Sequence, residues 1–385
     1  MVRIGIIGIG NMGRQHIANV KTGKIKNGVV AAACDIRPDR LAWLDEMGYT
    51  DIKKFTSAEE LIKSGEVDLV LIATPHYDHP VLAIKAFEQG LNVLIEKPAG
   101  VYTKKVREMN EAAEKSGKVF GIMYNQRTSP VFQKARDLIA KGELGDLKRV
   151  IWIITNWYRP QAYHDSSDWR SRWETEGGGV LINQCPHNLD LFQWIVGKMP
   201  KRIRSFVGFG KYHDIEVDDD VTAYCEYDNG ATGLFVTCTA DAPGTNRLEI
   251  TGTRGKIVIE DDKMEFHRLT VDERDFNRDY KLPFGGPEVW KVEVPTPGVK
   301  DEHVGILNNV ISVIENGGEL LAPGEEGIRG LTISNAIHLS AWTDDWVELD
   351  NLDEDLFYNI LQDKIKNSTM KKNLRERVAD TKGTY

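Results

Sequence analysis

The sequence predicts an α/β protein with an N-terminal Rossmann-type doubly wound parallel sheet and a C-terminal α/β domain built on a large, mostly antiparallel sheet. Three observations carry this. A glycine-rich turn, Gly8-Ile9-Gly10-Asn11-Met12-Gly13, directly follows the first apolar run. Short apolar runs then alternate with helical patterns to about residue 125, as consecutive βαβ units do. From residue 203 to 259 the pattern becomes strands joined by turns such as Asp228-Asn229-Gly230 and Gly252-Thr253-Arg254-Gly255, which reads as antiparallel.

Composition narrows the function classes. The chain has 385 residues, 41% hydrophobic and 28% charged, with a formal net charge of -9. That length suits two domains whose cores need no staples. The acidic balance disfavours a nucleic-acid or anionic-membrane partner. Cys34, Cys185, Cys225 and Cys238 form no C-x-x-C pair, and the N-terminus enters a strand without the pattern of a signal peptide. Both features are expected of a cytoplasmic protein with reduced thiols. No apolar run approaches the roughly 20 residues of a transmembrane helix, and no internal repeat is present.

Residues 3–8 read as the first buried strand and 14–21 as a helix. The G-x-G-x-x-G between them stands in the strand–turn–helix context of a dinucleotide fingerprint. Gly8 makes the tight turn, Gly10 lets backbone approach the pyrophosphate, and Gly13 lets the helix pack close. Asn11 and Met12 complete the cofactor loop, and the helix N-terminus stabilises phosphate charge. Residues 29–34 form a second strand ending at Asp35, about 20 positions on, where a carboxylate meets the ribose 2′-hydroxyl. Asp35 repels a 2′-phosphate and favours NAD, while Arg37 and Arg40 nearby would accommodate one, so NADP stays open.

Residues 59–62 begin a short helix. Residues 67–73 form a strand ending in Thr74-Pro75-His76-Tyr77-Asp78-His79-Pro80. Thr74 and His76 are candidates for contact with cofactor or substrate, and His79 reads as a hydrogen-bonded residue at a helix start. Residues 81–90 form a helix stopped by Gly90. The run Val93-Leu94-Ile95, a buried parallel strand, then delivers Glu96-Lys97-Pro98. Ligands of open α/β sheets bind at the carboxyl ends of the strands, and proline stiffens the backbone there. Lys97 thus places an ammonium where a ligand would sit, with Glu96 beside it. Residues 103–116 read as a charged amphipathic helix, 119–124 as a strand ending in Asn125-Gln126-Arg127, and 129–141 as a helix closed by Gly142. The β-rich run 147–158 opens the second domain.

Residues 156–179 hold few aliphatics but include Trp157, Tyr158, Tyr163, His164, Trp169, Arg170 and Trp173. Long polar and aromatic segments are more often functional than mere connectors. Aromatic faces suit a sugar ring and arginine its hydroxyls, while Trp157 and Trp173 suit a core equally well. Gly177-Gly178-Gly179 leads into residues 180–194, read as one helix with a kink or restart at Pro186, placing Asn183 and His187 as i, i+4 neighbours. A histidine on an apolar helix is ordinarily a core residue. Asp218-Asp219-Asp220 reads as a solvated acidic turn, with no metal site expected. Residues 262–297 read as irregular, 304–315 and 327–343 as helices, and 362–385 as a basic stretch, either flexible or wrapping a neighbouring subunit. The division expected is 1–125 for the NAD(P)-binding domain, 126–350 for a substrate-binding and oligomerisation domain, and 351–385 for a C-terminal helix and basic tail.

Gly8-x-Gly10-x-x-Gly13, Glu96-Lys97-Pro98, and Gly177-Gly178-Gly179 followed by His187 and Asp190 together resemble the glucose-fructose oxidoreductase, inositol dehydrogenase and MocA family over residues 1–345. The resemblance implies oxidation or reduction of a hydroxyl of a sugar, glycoside or cyclitol with NAD or NADP. It implies a homo-oligomer, dimer or tetramer, joined through the open sheet face. It makes Lys97 the active-site lysine, His187 its histidine and Trp169-Arg170 the substrate-side pair, with Tyr158 in the same segment. It places Asn125 and Arg127 toward cofactor and substrate. Many family members carry aspartate where this chain has Asn183, so a Lys–Asp–His relay is not complete here. The run Asn183-Gln184-Cys185-Pro186-His187 is similar to a branch acting on glycosides and other pyranoses, some at the ring 3-hydroxyl.

This implies a general base at His187, with an ordinary pKa near 6.5, and Lys97 donating to the reacting oxygen. Two other readings use the same residues differently: net glycoside cleavage by oxidation and elimination on retained NAD, and a non-catalytic NAD sensor.

Overall fold

A computed structural model describes residues 1–369, so the last part of the expected basic tail, residues 370–385, lies outside the described residues. The N-terminal sheet holds β1 (Val2–Ile7), β2 (Gly28–Cys34), β3 (Lys53–Phe55), β4 (Leu69–Ile72), β5 (Asn92–Ile95) and β6 (Phe120–Ile122). All are parallel, in the order β3-β2-β1-β4-β5-β6. The order reverses between β1 and β4, where a doubly wound sheet opens a ligand crevice. β1, β4 and β5 are almost entirely buried, as strands covered on both faces must be. The interleaved helices are α1 (Asn11–Lys21), α2 (Pro38–Glu46), α3 (Ala58–Lys63), α4 (Asp78–Glu88) and α5 (Thr103–Ser116).

Register sets the site. Ile7 pairs with both Cys34 and Ile72, Ile72 with Ile95, and Ile95 with Ile122. The next residues along each strand, Gly8, Asp35, Ala73, Glu96 and Met123, therefore leave the sheet at one level.

After α6 (Pro130–Ala140), a nine-stranded sheet forms from β7 (Leu147–Ile154), β8 (Arg202–Phe209), β9 (Asp218–Glu226), β10 (Thr232–Cys238), β11 (Asn246–Gly252), β12 (Gly255–Glu260), β13 (Lys263–Leu269), β14 (Val289–Val292) and β15 (Val347–Glu348). Its order is β14-β13-β12-β11-β7-β10-β9-β8-β15, and only the β7–β10 pair is parallel. The helices of this part are α7 (Gln161–His164), α8 (Pro186–Trp194), α9 (Glu273–Asp279), α10 (Glu302–Asn316), α11 (Gly327–Thr343) and α12 (Glu354–Lys366). Trp152, Phe192, Phe235 and Ile337 share the core under one sheet face. Phe206, Tyr224 and Trp346 remain exposed.

α10 does not join that core. Ile306, Leu307, Val310 and Ile311 belong to the first core, with α10 against β1, Ile311 beside Gly28 of β2 and Val310 beside Gly121 of β6, so the chain returns to finish the N-terminal core.

Three expectations need correction. Residues 180–194 are not one helix: α8 starts at Pro186, in the first turn, where proline fits, and residues 180–185 form turns. Asp218-Asp219-Asp220 is not a solvated turn. It opens β9, Asp218 and Asp219 are buried, and the Asp218 carboxylate accepts from the Gly179 and Leu181 amides at 2.7 and 2.8 Å and lies 2.9 Å from His338 Nε2. These bonds fix the backbone of residues 179 and 181 ahead of α8. Residues 262–297 are not irregular throughout, since β13, α9 and β14 lie there.

Candidate active site

The cleft is built on the β-strand ends. Gly8 has φ +96°, and a Cβ on it would meet the Ala73 carbonyl at 2.6 Å, while one on Gly13 would meet the Gly8 carbonyl at 1.9 Å. Around Gly10 the added Cβ would meet nothing within 4 Å. The loop is closed on its protein side and open at Gly10, where a pyrophosphate would approach. Asn11 and Met12 open α1 in the same loop. Asp35 is buried and accepts from Ile9 N at 2.7 Å and Arg37 N at 2.9 Å. The Arg37 guanidinium pairs with Asp39, and Arg40 reaches Asp35 at 3.4 Å. Thr74 Oγ1 and Asn125 Oδ1 are buried without a hydrogen-bond partner among the described residues. A carboxylate at the second strand, an open glycine loop and two orphaned polar atoms along the crevice fit a dinucleotide.

His79 ties the crevice together. Its ring nitrogens lie 2.8 Å from the Pro98 carbonyl and 2.9 Å from that of Thr74, joining the loops after β5 and β4. Glu96 turns inward, with Oε1 at 2.7 Å from His16 Nε2 on α1. Burial by itself raises the Glu96 carboxyl, but the His16 bond and nearby positive charge hold it down to about 2. His303, at the start of α10, lies edge-on to His16 at 5.6 Å, and burial lowers it to about 4.

Lys97 points from β5 across the cleft and donates to the Asn183 carbonyl at 2.8 Å. Burial lowers its pKa, opposed mainly by Glu96. His187 sits in the first turn of α8, and neither ring nitrogen has a partner among the described residues. Burial first, then the Lys97 charge, push it well below the ordinary histidine value. Tyr124 lies edge-on to it at 6.2 Å.

The aromatic segment closes over this centre. Trp169 meets the His76 ring edge-on at 5.5 Å, and His76 Nδ1 is 3.0 Å from the Glu176 carbonyl. The Arg170 guanidinium lies 4.6 Å from the ring centres of both Trp169 and Tyr163 and donates to the Tyr163 hydroxyl at 2.7 Å. Trp173 belongs to the second core, and Tyr158 is 50% exposed.

Arg127 is engaged by the protein itself. Its guanidinium is buried and donates to both Asp190 oxygens, at 2.8 and 2.6 Å, and to Glu326. The Asn183 amide donates to the Glu176 carboxylate. Tyr124, His16, His303 and Glu176 escaped sequence reasoning. The placement of Glu176 directly before the glycine triplet was the one available signal.

Among the described residues no group of three or more His, Cys, Asp or Glu side chains is arranged to hold a metal, and no helix is long and apolar enough to cross a membrane.

A crevice of this kind, facing a second domain that closes over it with aromatic and basic side chains, defines a two-domain nicotinamide-dinucleotide oxidoreductase. A family model described as an oxidoreductase family with an NAD-binding Rossmann fold matches residues 2–124, and one described as a GFO/IDH/MocA C-terminal domain matches residues 132–258. The rhizopine catabolism protein MocA of Rhizobium meliloti is 30% identical over 238 residues, spanning 60% of this chain and 69% of that protein. The 1,5-anhydro-D-fructose reductase of Ensifer adhaerens is 25% identical over 356 residues, 91% of this chain and 99% of that one. The crystal structure of the WlbA dehydrogenase from Bordetella pertussis with NADH and UDP-GlcNAcA shares the fold, with a TM-score of 0.76 at 24% identity, over 91% of this chain and 99% of that one. The chain belongs to the glucose-fructose oxidoreductase, inositol dehydrogenase and MocA family.

Proposed function

We propose that the protein is an NAD-dependent dehydrogenase that oxidises a secondary ring hydroxyl of a sugar or glycoside to a ketone, with the 3-hydroxyl of a glucoside as one candidate. The observation that carries this reading is His187. It is a buried imidazole held toward its neutral form, with neither nitrogen bonded among the described residues, under the electrostatic influence of the Lys97 ammonium at the carboxyl end of β5. A bound nicotinamide supplies the hydride acceptor. His187 then takes the hydroxyl proton at an open ring nitrogen, and Lys97 donates to the same oxygen, stabilising the alkoxide character that develops. Trp169 offers an apolar face to the sugar ring and Arg170 donors to its hydroxyls. Asp35, already fixed by two backbone amides, is suited to the ribose hydroxyls of NAD. The exposed Phe206, Tyr224 and Trp346 are read as part of the surface where copies of the chain meet.

The test is a panel of sugars, glycosides and inositols with NAD and with NADP, followed at the NADH absorbance, with the product carbonyl located. Turnover on pyranosides with NAD is expected. Wild-type turnover in Lys97→Ala would remove the assignment of Lys97.

A further inference from the structure

We propose that Glu176 is a positioning residue that supplies a fixed negative charge near Lys97, additional to that of Glu96, and joins the two halves of the cleft. The inference rests on Lys97 being the functional lysine. Glu176 lies in the turn before Gly177 and is 2% exposed. Its two carboxylate oxygens accept from the Asn183 amide and from the Ser171 backbone amide. A donor thus faces each of its two oxygens.

Each partner leads to the centre. Asn183 presents the carbonyl that takes the Lys97 ammonium. Ser171, with φ +60° and so in the left-handed region that non-glycine residues seldom adopt, follows the Trp169-Arg170 pair directly. The Glu176 carbonyl faces His76, whose ring Trp169 meets. One buried side chain thus holds the Lys97 acceptor and the aromatic segment in a common frame.

The charge has a definite target. Glu96 and Glu176 favour the Lys97 ammonium, while Arg170 and Arg159 disfavour it. His76, His187 and His303, which also feel that ammonium, are held toward their neutral forms, and Cys185 is a thiol raised to about 12. Position 183 is an asparagine, so it brings no charge of its own.

The test reads Lys97 directly and needs no substrate. Trace acetylation with acetic anhydride across pH, quantified on the Lys97 peptide by mass spectrometry, gives the midpoint at which the amine becomes reactive. Glu176→Gln keeps the size and can hydrogen-bond both partners once the Asn183 amide flips. The midpoint is expected to fall by about one pH unit. In Glu176→Gln/Asn183→Asp, which exchanges carboxylate and amide across the same hydrogen bond, it is expected to return to within about half a unit of wild type. An unmoved midpoint in folded Glu176→Gln overturns the proposal. If that variant does not fold, a midpoint in the double variant a full unit or more below wild type overturns it instead. Turnover in Lys97→Ala tests the role of Lys97 separately, so the two failures are distinguishable.

Discussion

Burial and the Lys97 charge hold the His187 imidazole toward its neutral form, available as a proton acceptor with no hydrogen-bond partner among the described residues to release it. The sign matters for activity. A base whose pKa lies below the ordinary value stays competent as the solution is acidified, so the acid limb of kcat/KM is expected well below about 6.5. A limb at or above that value would point to a different base. His187→Ala and Lys97→Ala are each expected to lower kcat by about 10²–10⁴-fold, with NADH binding, read by fluorescence titration, nearly unchanged. Lys97 was legible in the sequence because a buried strand ending in Glu-Lys-Pro fixes its place with local information alone. Arg127 was not. Its partners Asp190 and Glu326 lie 63 and 199 residues away, and nothing near Arg127 announces that its guanidinium is already satisfied. Asp218 was misread for the same reason, since its partners are two amides in another turn and His338 on α11.

The glycine loop separates two roles that the motif alone merges. Gly13→Ala drives a Cβ into the Gly8 carbonyl and is expected to lower the thermal midpoint as well as dinucleotide affinity. Gly10→Ala adds a Cβ that meets nothing within 4 Å among the described residues. It is expected to leave the midpoint within a degree or two and to weaken NADH binding about tenfold or more, because the new methyl stands where backbone should approach phosphate. Equal loss of stability in both would show that Gly10 is structural. On α8, Arg127→Ala strands the Asp190 carboxylate, which burial already raises. A cost of about 3–5 kcal/mol is expected in urea unfolding. The restart of α8 was half legible: Pro186 marked the break, but the grip of Asp218 on residues 179–181 comes from a strand that sequence spacing cannot connect to it.

At the scale of the whole molecule, the buried histidines and Glu96 outnumber the carboxyls that burial raises, Asp78, Asp190 and Glu325. His76 and His187 are held well below the ordinary histidine value, and His303 at about 4, whereas in the unfolded chain each takes a proton near about 6.5. Glu96, held at about 2, must likewise be protonated in acid. Between pH 7 and 4 the unfolded state therefore binds more protons, and stability falls as the pH drops. Calorimetry at pH 7.5 and 5 should show the lower midpoint at pH 5, and a constant or rising midpoint would contradict these assignments. The two-sheet architecture was legible because periodicity and the glycine loop are local signals. The return of α10 to the first core was not, because its apolar stripe specifies a buried face without saying which sheet covers it. That return has a cost in time. Ile306, Leu307, Val310 and Ile311 are synthesised long after β6, so the nascent dinucleotide domain waits with part of its core uncovered for about 10–40 s at roughly 5–20 residues per second. During that interval the growing chain presents an apolar face to the ribosome surface and its chaperones, and a stall between residues 122 and 302 would release a sheet that lacks one of its covering helices.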